Sequence, residues 1–206
     1  MSAANRRQPP DETALIRRAR DGDERAFTEL VNRYEGQVYN FAFKVCRDRE
    51  KADETLQDTF ITVYRKLKQF DGRSAFGTWL YRVVVNHCKM KHRRRKLDTL
   101  MESLDEPPVR HDHHDDERER EPMSPIEDTP AEILLTRELQ GVLDKAIHKL
   151  PVDYRTVFVL RDVEGLSTRE TAGIVKITEE AVKSRLRRAR AFLRQEIAPY
   201  MGWAKT

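Results

Sequence analysis

Lys183, Arg185, Arg187, Arg188 and Arg190 crowd into one short stretch near the C-terminus, with Ser184 among them. Cations at that density donate to phosphates, and an arginine fork can also grip the edge of a guanine. Val182, Leu186, Ala189 and Leu193 recur through the same stretch at the spacing of one buried helical stripe, so the cations occupy the remaining faces of a helix. Thr178 is placed to cap it. Upstream, Ser167-Thr168-Arg169-Glu170 has the form of a capping box and opens a shorter helix with Ala172, Ile174 and Val175 inward. A capped short helix, a tight turn and a basic second helix make a helix-turn-helix, whose second helix enters a major groove. A basic run can instead merely solvate a terminal helix, but that leaves the two caps and the turn unexplained. The turn, Val175-Lys176-Ile177-Thr178, lacks glycine, so Lys176 is expected to bear a small strain there.

A second cluster sets Phe76, Trp79 and Tyr81 beside Arg82, Asn86, Lys89 and Lys91. Aromatic faces stack on unpaired bases, cations hold phosphates, and an Asn amide can read a base edge. Phe76 and Trp79 lie on an apolar stripe with Leu80, Val83, Val84 and His87, which favours core positions for both; Tyr81 lies off it and is expected to be exposed. The loop at Phe70-Asp71-Gly72-Arg73, with Ser74 opening the next helix, could receive an extruded base. A third cluster is acidic. Asp53, Glu54, Gln57 and Asp58 share the polar side of a helix with Leu56 and Phe60 along it, a face that is either solvated or docks a basic partner.

The elements that must position these groups are helical throughout. A short helix spans Glu12 to Arg20. A longer one follows with Phe27, Leu30, Val31, Tyr34, Val38, Phe41, Ala42 and Val45 inward, then one capped by Asp48, then one opened by Ser74. Thr129-Pro130-Ala131-Glu132 is another strong helix start, leading to a stripe at Leu135, Leu139, Val142, Leu143, Ala146 and Leu150. A further helix runs to Arg161. The expected fold is all-α: two small helical domains, residues 1–97 and 129–206, joined by a long acidic flexible linker at 98–128, the second domain containing the helix-turn-helix.

Charge follows the same division. The 206 residues carry a net +4, but Arg82 to Lys96 has seven cations and no carboxylate, while residues 98–130 have twelve carboxylates against three arginines. Such a tether cannot build a core; if flexible it spans roughly 30–35 Å root-mean-square. Its His111-Asp112-His113-His114-Asp115-Asp116 tract is better read as solvated than as a metal site, having no second shell to orient the rings. No cofactor is expected, and no nucleophile–base pair or phosphate-cradling glycine loop suggests intrinsic catalysis. Cys46 and Cys88, far apart in the sequence, read as ordinary buried thiols of a reducing cytoplasm. No apolar run is long enough for membrane insertion, and no secretory leader is evident.

Three stretches together carry a resemblance: Ala52-Asp53-Glu54-Thr55-Leu56-Gln57-Asp58-Thr59-Phe60; Phe76 through Asn86; and Glu164-Gly165-Leu166-Ser167 through Ala181-Val182-Lys183-Ser184-Arg185-Leu186. In this order they resemble the small two-domain sigma factors of bacterial RNA polymerase, the extracytoplasmic-function group, over about residues 12–96 and 130–197. The resemblance implies that Asp53, Glu54, Leu56, Gln57, Asp58 and Phe60 dock on the β′ clamp helices of core RNA polymerase. It implies that Phe70, Arg73, Ser74, Phe76, Trp79, Tyr81, Arg82, Asn86 and Lys89 open and capture the −10 element of promoter DNA. Ser167, Thr168, Thr178, Lys183, Ser184, Arg185, Arg187 and Arg188 would address the −35 element, with the second domain near the β flap. An anti-sigma factor partner and a cytoplasmic location, with sequestration at the inner membrane face by a membrane-bound anti-sigma factor, are implied as well. Glu179-Glu180, Arg187 and Lys89 depart from common family patterns, so base preferences do not transfer. The competing interpretation is a free-standing dimeric helix-turn-helix regulator that needs no polymerase.

Overall fold

The computed structural model describes residues 10–102 and 130–200; the His/Asp tract and Thr129 lie outside the described residues. Helices α1 (Pro10–Arg20), α2 (Glu24–Cys46), α3 (Arg49–Lys66) and α4 (Phe76–Glu102) build the first domain. The second comprises α5 (Pro130–Lys149), α6 (Val152–Phe158), α7 (Thr168–Val175) and α8 (Glu179–Ile197). Among the described residues there is no strand, and no helix is long and apolar enough to cross a membrane.

Local chemistry starts most of these helices. The Asp23 and Asp48 carboxylates accept from the amides of Ala26 and Lys51, each at 3.0 Å, and so cap α2 and α3. Inward stripes then meet. Leu30, Val38, Phe41 and Val45 of α2 pack on Ala52 and Val63 of α3 and on Phe76, Leu80 and Val84 of α4, all buried. Burying such side chains contributes about 1.5–3 kcal/mol each, which is what holds these short helices together.

The backbone departs from the sequence expectation at three places. Helix α4 begins at Phe76 rather than Ser74, because the Trp79 amide bonds the Ala75 carbonyl at 3.2 Å. It then runs on to Glu102, inside the stretch assigned to the tether; Arg93 to Leu97 are all good helix formers, and charge alone does not end a helix. The helix expected to reach Arg161 is α-helical only to Phe158 and continues as a π-turn over Val159–Val163. There the Glu164 amide bonds back to the Val159 carbonyl at 2.9 Å.

In α5 the buried side is Ala146, Ile147 and Leu150, whereas Leu143, expected inward, is 36% exposed. This helix packs against α8 on one side and α2 on the other, which rotates its apolar stripe toward Ile147.

The two domains touch. Helix α4 packs against α7, and α2 against α5 and α6. The Phe43 ring meets the His148 ring edge-on at 5.8 Å. The Tyr81 hydroxyl donates to the Glu164 carboxylate, the Thr78 hydroxyl to Glu170 at 3.5 Å, and the Lys89 ammonium to the Val175 carbonyl at 3.2 Å.

Candidate nucleic-acid interface

The helix-turn-helix is assembled as its caps dictate. The Ser167 hydroxyl accepts from the Glu170 amide at 3.2 Å, and the Glu170 carboxylate accepts from the Ser167 amide at 2.8 Å, completing the capping box. Lys176 ends α7 in the left-handed region at φ 60°, with its amide bonded to the Ala172 carbonyl. Thr178 then accepts from the Ala181 amide at 3.2 Å and starts α8. A side chain in that left-handed conformation costs about 1–2 kcal/mol that glycine avoids. Lys176→Gly is therefore expected to raise stability by about 1 kcal/mol, read as a higher denaturation midpoint; an unchanged or lower midpoint would mean the turn carries no strain.

Val182, Leu186, Ala189 and Leu193 form the buried side of α8. At about 100° per residue the cations sort onto separate faces of the helix. Lys183, Arg187, Arg190 and Arg194 share one side and, with Arg161 and Thr168, line an open cleft of about 440 Å³ without a carboxylate in its wall. Ser184 and Arg188 stand opposite the buried stripe. Arg185 lies at the other edge, half-buried and 3.7 Å from Asp153 of α6. The Arg188 guanidinium reaches the Tyr154 hydroxyl at 3.3 Å. Arg190, which the sequence grouped with the reading residues, makes a two-pronged ion pair with Asp162 at 2.7 and 2.8 Å and so braces α8 against the π-turn.

Ser167 is occupied by its capping box and Thr178 by its cap, so both shape the motif. Thr168, at the first turn of α7, faces the cationic cleft. Sequence reasoning missed Arg161 and Arg194. Arg161 comes to the cleft only because the π-turn brings Val159–Val163 beside α8, and its guanidinium also bonds the Leu166 carbonyl.

On the first domain the aromatic cluster supports a loop. Phe76 is 0% exposed and Phe70 5%, and their rings meet edge-on at 5.4 Å; half-buried Trp79 lies 5.6 Å from Phe76. Above them Asp71 accepts from both the amide and the guanidinium of Arg73, and Gly72 takes φ 71° to close the turn. These bonds hold the Asp71 carboxyl below its usual range, the Arg73 amide contributing most. Arg73 is exposed and Ser74 half-buried.

Arg82 and Asn86 are exposed on α4, Arg82 running alongside Gly173 of α7. Two expectations fail nearby. Tyr81 is only 4% exposed: its ring packs 4.7 Å from Phe41 and its hydroxyl binds Gln37 and Glu164. Lys91, expected with the phosphate-holding cations, is tied to Glu54 at 2.8 Å and Asp58 at 3.3 Å. Lys89 sits between the domains, where burial lowers its pKa against the opposing pull of Asp153. Glu164→Ala is expected to weaken domain docking by about 1.5–3 kcal/mol, the worth of a hydrogen bond to a charged group, visible as a larger radius of gyration in small-angle scattering. An unchanged radius would mean other contacts suffice.

The acidic cluster is a mixed surface. Asp53 and Gln57 are exposed, Glu54 and Asp58 partly satisfied by Lys91, and Leu56 and Phe60 half-buried. One turn further along α3, Ile61 is 50% and Tyr64 63% exposed, extending the surface with apolar area that the sequence had assigned partly to the core.

Comparison with known proteins agrees with both halves. Residues 30–97 match the family model of Sigma-70 region 2, and residues 140–193 that of Sigma-70, region 4. The ECF RNA polymerase sigma-E factor of Haemophilus influenzae is 34% identical over 193 residues, 91% of this chain and 96% of that protein. The RNA polymerase sigma-H factor of Pseudomonas aeruginosa is 32% identical over 190 residues, 91% and 94% of the two chains. Among solved structures, CnrH in complex with the cytosolic domain of CnrY has the same fold, with a TM-score of 0.59 at 24% identity over 90% of this chain and 96% of that one. The sigma factor RpoE of Bartonella quintana, solved with the anti-sigma factor NepR, gives 0.62 at 20% identity over 83% and 96%. A charged helix-turn-helix and an aromatic-backed loop on two helical domains, matched along nearly the whole chain, place this protein in a family: it belongs to the ECF sigma factors of RNA polymerase.

Proposed function

We propose that this chain is an alternative sigma factor that binds core RNA polymerase and directs initiation at promoters with paired −10 and −35 elements. The cationic faces of α8, presented by a fully capped helix-turn-helix, carry the proposal. In this reading Arg188 and Ser184 face the bases of the −35 element, while Lys183, Arg187 and Arg194 neutralise phosphates at the cleft side. Arg185 stands at the rim, partly engaged by Asp153. Residues 129–206 form that module and residues 1–97 the other, with 98–128 as a tether avoiding the phosphates.

On the first module Arg73, Ser74, Arg82, Asn86 and Lys89 address the −10 element. Phe70, Phe76, Trp79 and Tyr81 support that surface from beneath. Asp53, Glu54, Leu56, Gln57, Asp58 and Phe60 dock on the polymerase. The chain supplies no catalytic group of its own; polymerisation belongs to the core enzyme. It acts in the cytoplasm and is restrained by an anti-sigma factor, as the crystallised relatives are bound by theirs, with sequestration at the inner membrane face where that partner is membrane-bound.

Run-off transcription on fragmented genomic DNA, using core RNA polymerase with and without the chain, tests this. New starts that share paired upstream boxes and vanish without the chain are expected. Silence, together with failure to co-elute with core polymerase, would overturn the proposal and point to a stand-alone dimeric regulator.

A further inference from the structure

Cys46 and Cys88, separated by 42 residues in sequence, are brought face to face where α2 ends and α4 passes it: their sulfurs lie 2.9 Å apart. A disulfide bond is about 2.04 Å long, so less than about 1 Å of closure separates the pair from bonding distance. Cys88 is buried and Cys46 half-buried. Both line a small cavity of about 40 Å³ with Lys51, Lys91, His92 and Arg155, and no carboxylate. A cavity of that size admits a molecule as small as water or hydrogen peroxide.

Arg155 comes from α6 of the second domain and is 4% exposed. One guanidinium nitrogen donates to the His148 carbonyl at 2.9 Å, while Nε has no partner among the described residues. A buried cation with an unanswered donor beside a thiol is the setting in which a thiolate is favoured.

We propose that Cys46 and Cys88 are a peroxide-responsive dithiol, Cys46 the attacking sulfur and Cys88 the resolving one, whose oxidation ties α2 to α4 beneath the domain boundary. The acid–base asymmetry agrees with the geometry. The Cys46 thiol is held below its ordinary pKa, chiefly because Cys88 donates to it, then through the Thr55 hydroxyl and the charges of Lys91 and Arg155, against the opposing effect of burial. Cys88, as the donor and the more deeply buried, is pushed well up.

In the first step the Cys46 thiolate attacks one peroxide oxygen; an S–O bond forms, the O–O bond breaks, and hydroxide leaves and is protonated to water. Cys46 is then a sulfenic acid. Cys88 next attacks the Cys46 sulfur; the S–S bond forms, the S–O bond breaks, and the departing hydroxide takes the Cys88 proton as water. Two thiols lose two electrons and one peroxide becomes two waters. In a reducing compartment such a bond is transient, as sensing disulfides are.

The chain contains only these two cysteines, so the test on the full-length protein is unambiguous. Treated with stoichiometric hydrogen peroxide, the unaltered chain is expected to become lighter by two hydrogens, to lose both titratable thiols while remaining monomeric, and to recover both with dithiothreitol. Cys88→Ser should trap a dimedone-reactive sulfenic acid at Cys46. Cys46→Ser should leave Cys88 oxidised at least about tenfold more slowly. A chain that only gains oxygen atoms, or that cross-links between molecules, overturns the pair, and faster reaction of Cys88 overturns the assignment of roles. The mass measurement needs no substitution, so a variant that misfolds cannot obscure the answer, and it is independent of promoter binding.

Discussion

Run-off from a paired-box promoter is expected to fall at least about a hundredfold when Lys183, Arg187 and Arg188 are replaced together by alanine. Contacts of this kind are worth about 1–3 kcal/mol each when they read a base, and even 1 kcal/mol apiece reaches two orders of magnitude. The three side chains are exposed on α8, away from Val182, Leu186, Ala189 and Leu193, so the fold should survive. Two features separate the proposed role from a general loss. The slope of log affinity against log salt should flatten by up to about 3, roughly 0.9 for each lost phosphate contact. Co-elution with core polymerase should be unaffected, since docking is assigned to α3. A triple variant that initiates normally would remove α8 as the reading helix.

Phe76→Ala is expected to cost about 3–5 kcal/mol, the usual range for a buried aromatic truncated to a methyl. Its ring is wholly buried between Tyr34 at 5.2 Å, Phe70 at 5.4 Å and Trp79 at 5.6 Å, leaving no solvent-side route for collapse. Against a total stability of about 5–15 kcal/mol, a loss of that size leaves much of the first domain unfolded at growth temperature. Arg73→Ala is the contrasting variant. That side chain is exposed and its only described partner is Asp71 in the same turn, so stability should move by no more than about 0.5 kcal/mol. If Arg73 holds opened DNA, promoter melting falls while the denaturation midpoint stays put. Equal midpoints for Phe76→Ala and the unaltered chain would show that the aromatic cluster is not a load-carrying core.

What the sequence disclosed follows from the range of the interactions. Ser167 with Glu170, Thr178 and Asp48 cap helices within three residues of themselves, so their partners could be named in advance. The strained Lys176 was legible for the same reason. Tyr81 was not. Its distance from the apolar stripe suggested exposure, but the side chain is covered by Glu164, 83 residues later, through a domain contact that no local pattern records. The 42-residue gap between Cys46 and Cys88 likewise gave no hint of their meeting. Lys91 illustrates a smaller failure: a cation in a basic run was grouped with its neighbours in sequence, whereas helix packing hands it to the carboxylates of α3.

The carboxylates of Glu164 and Glu170 rest on Tyr81 and Thr78, beside the exposed Arg82. In the proposed reading that is where nucleic acid would lie, so the second domain presents the first with an internal mimic of the phosphate chain. Promoter DNA must then compete with a ligand already tethered to its receptor. Were the separated arrangement populated at about 1%, apparent affinity for the −10 element would drop about a hundredfold without any change in the contacts themselves. The free chain would thus ignore the vast excess of non-promoter DNA around it, and only a partner able to hold the two domains apart would convert it into a reader of sequence.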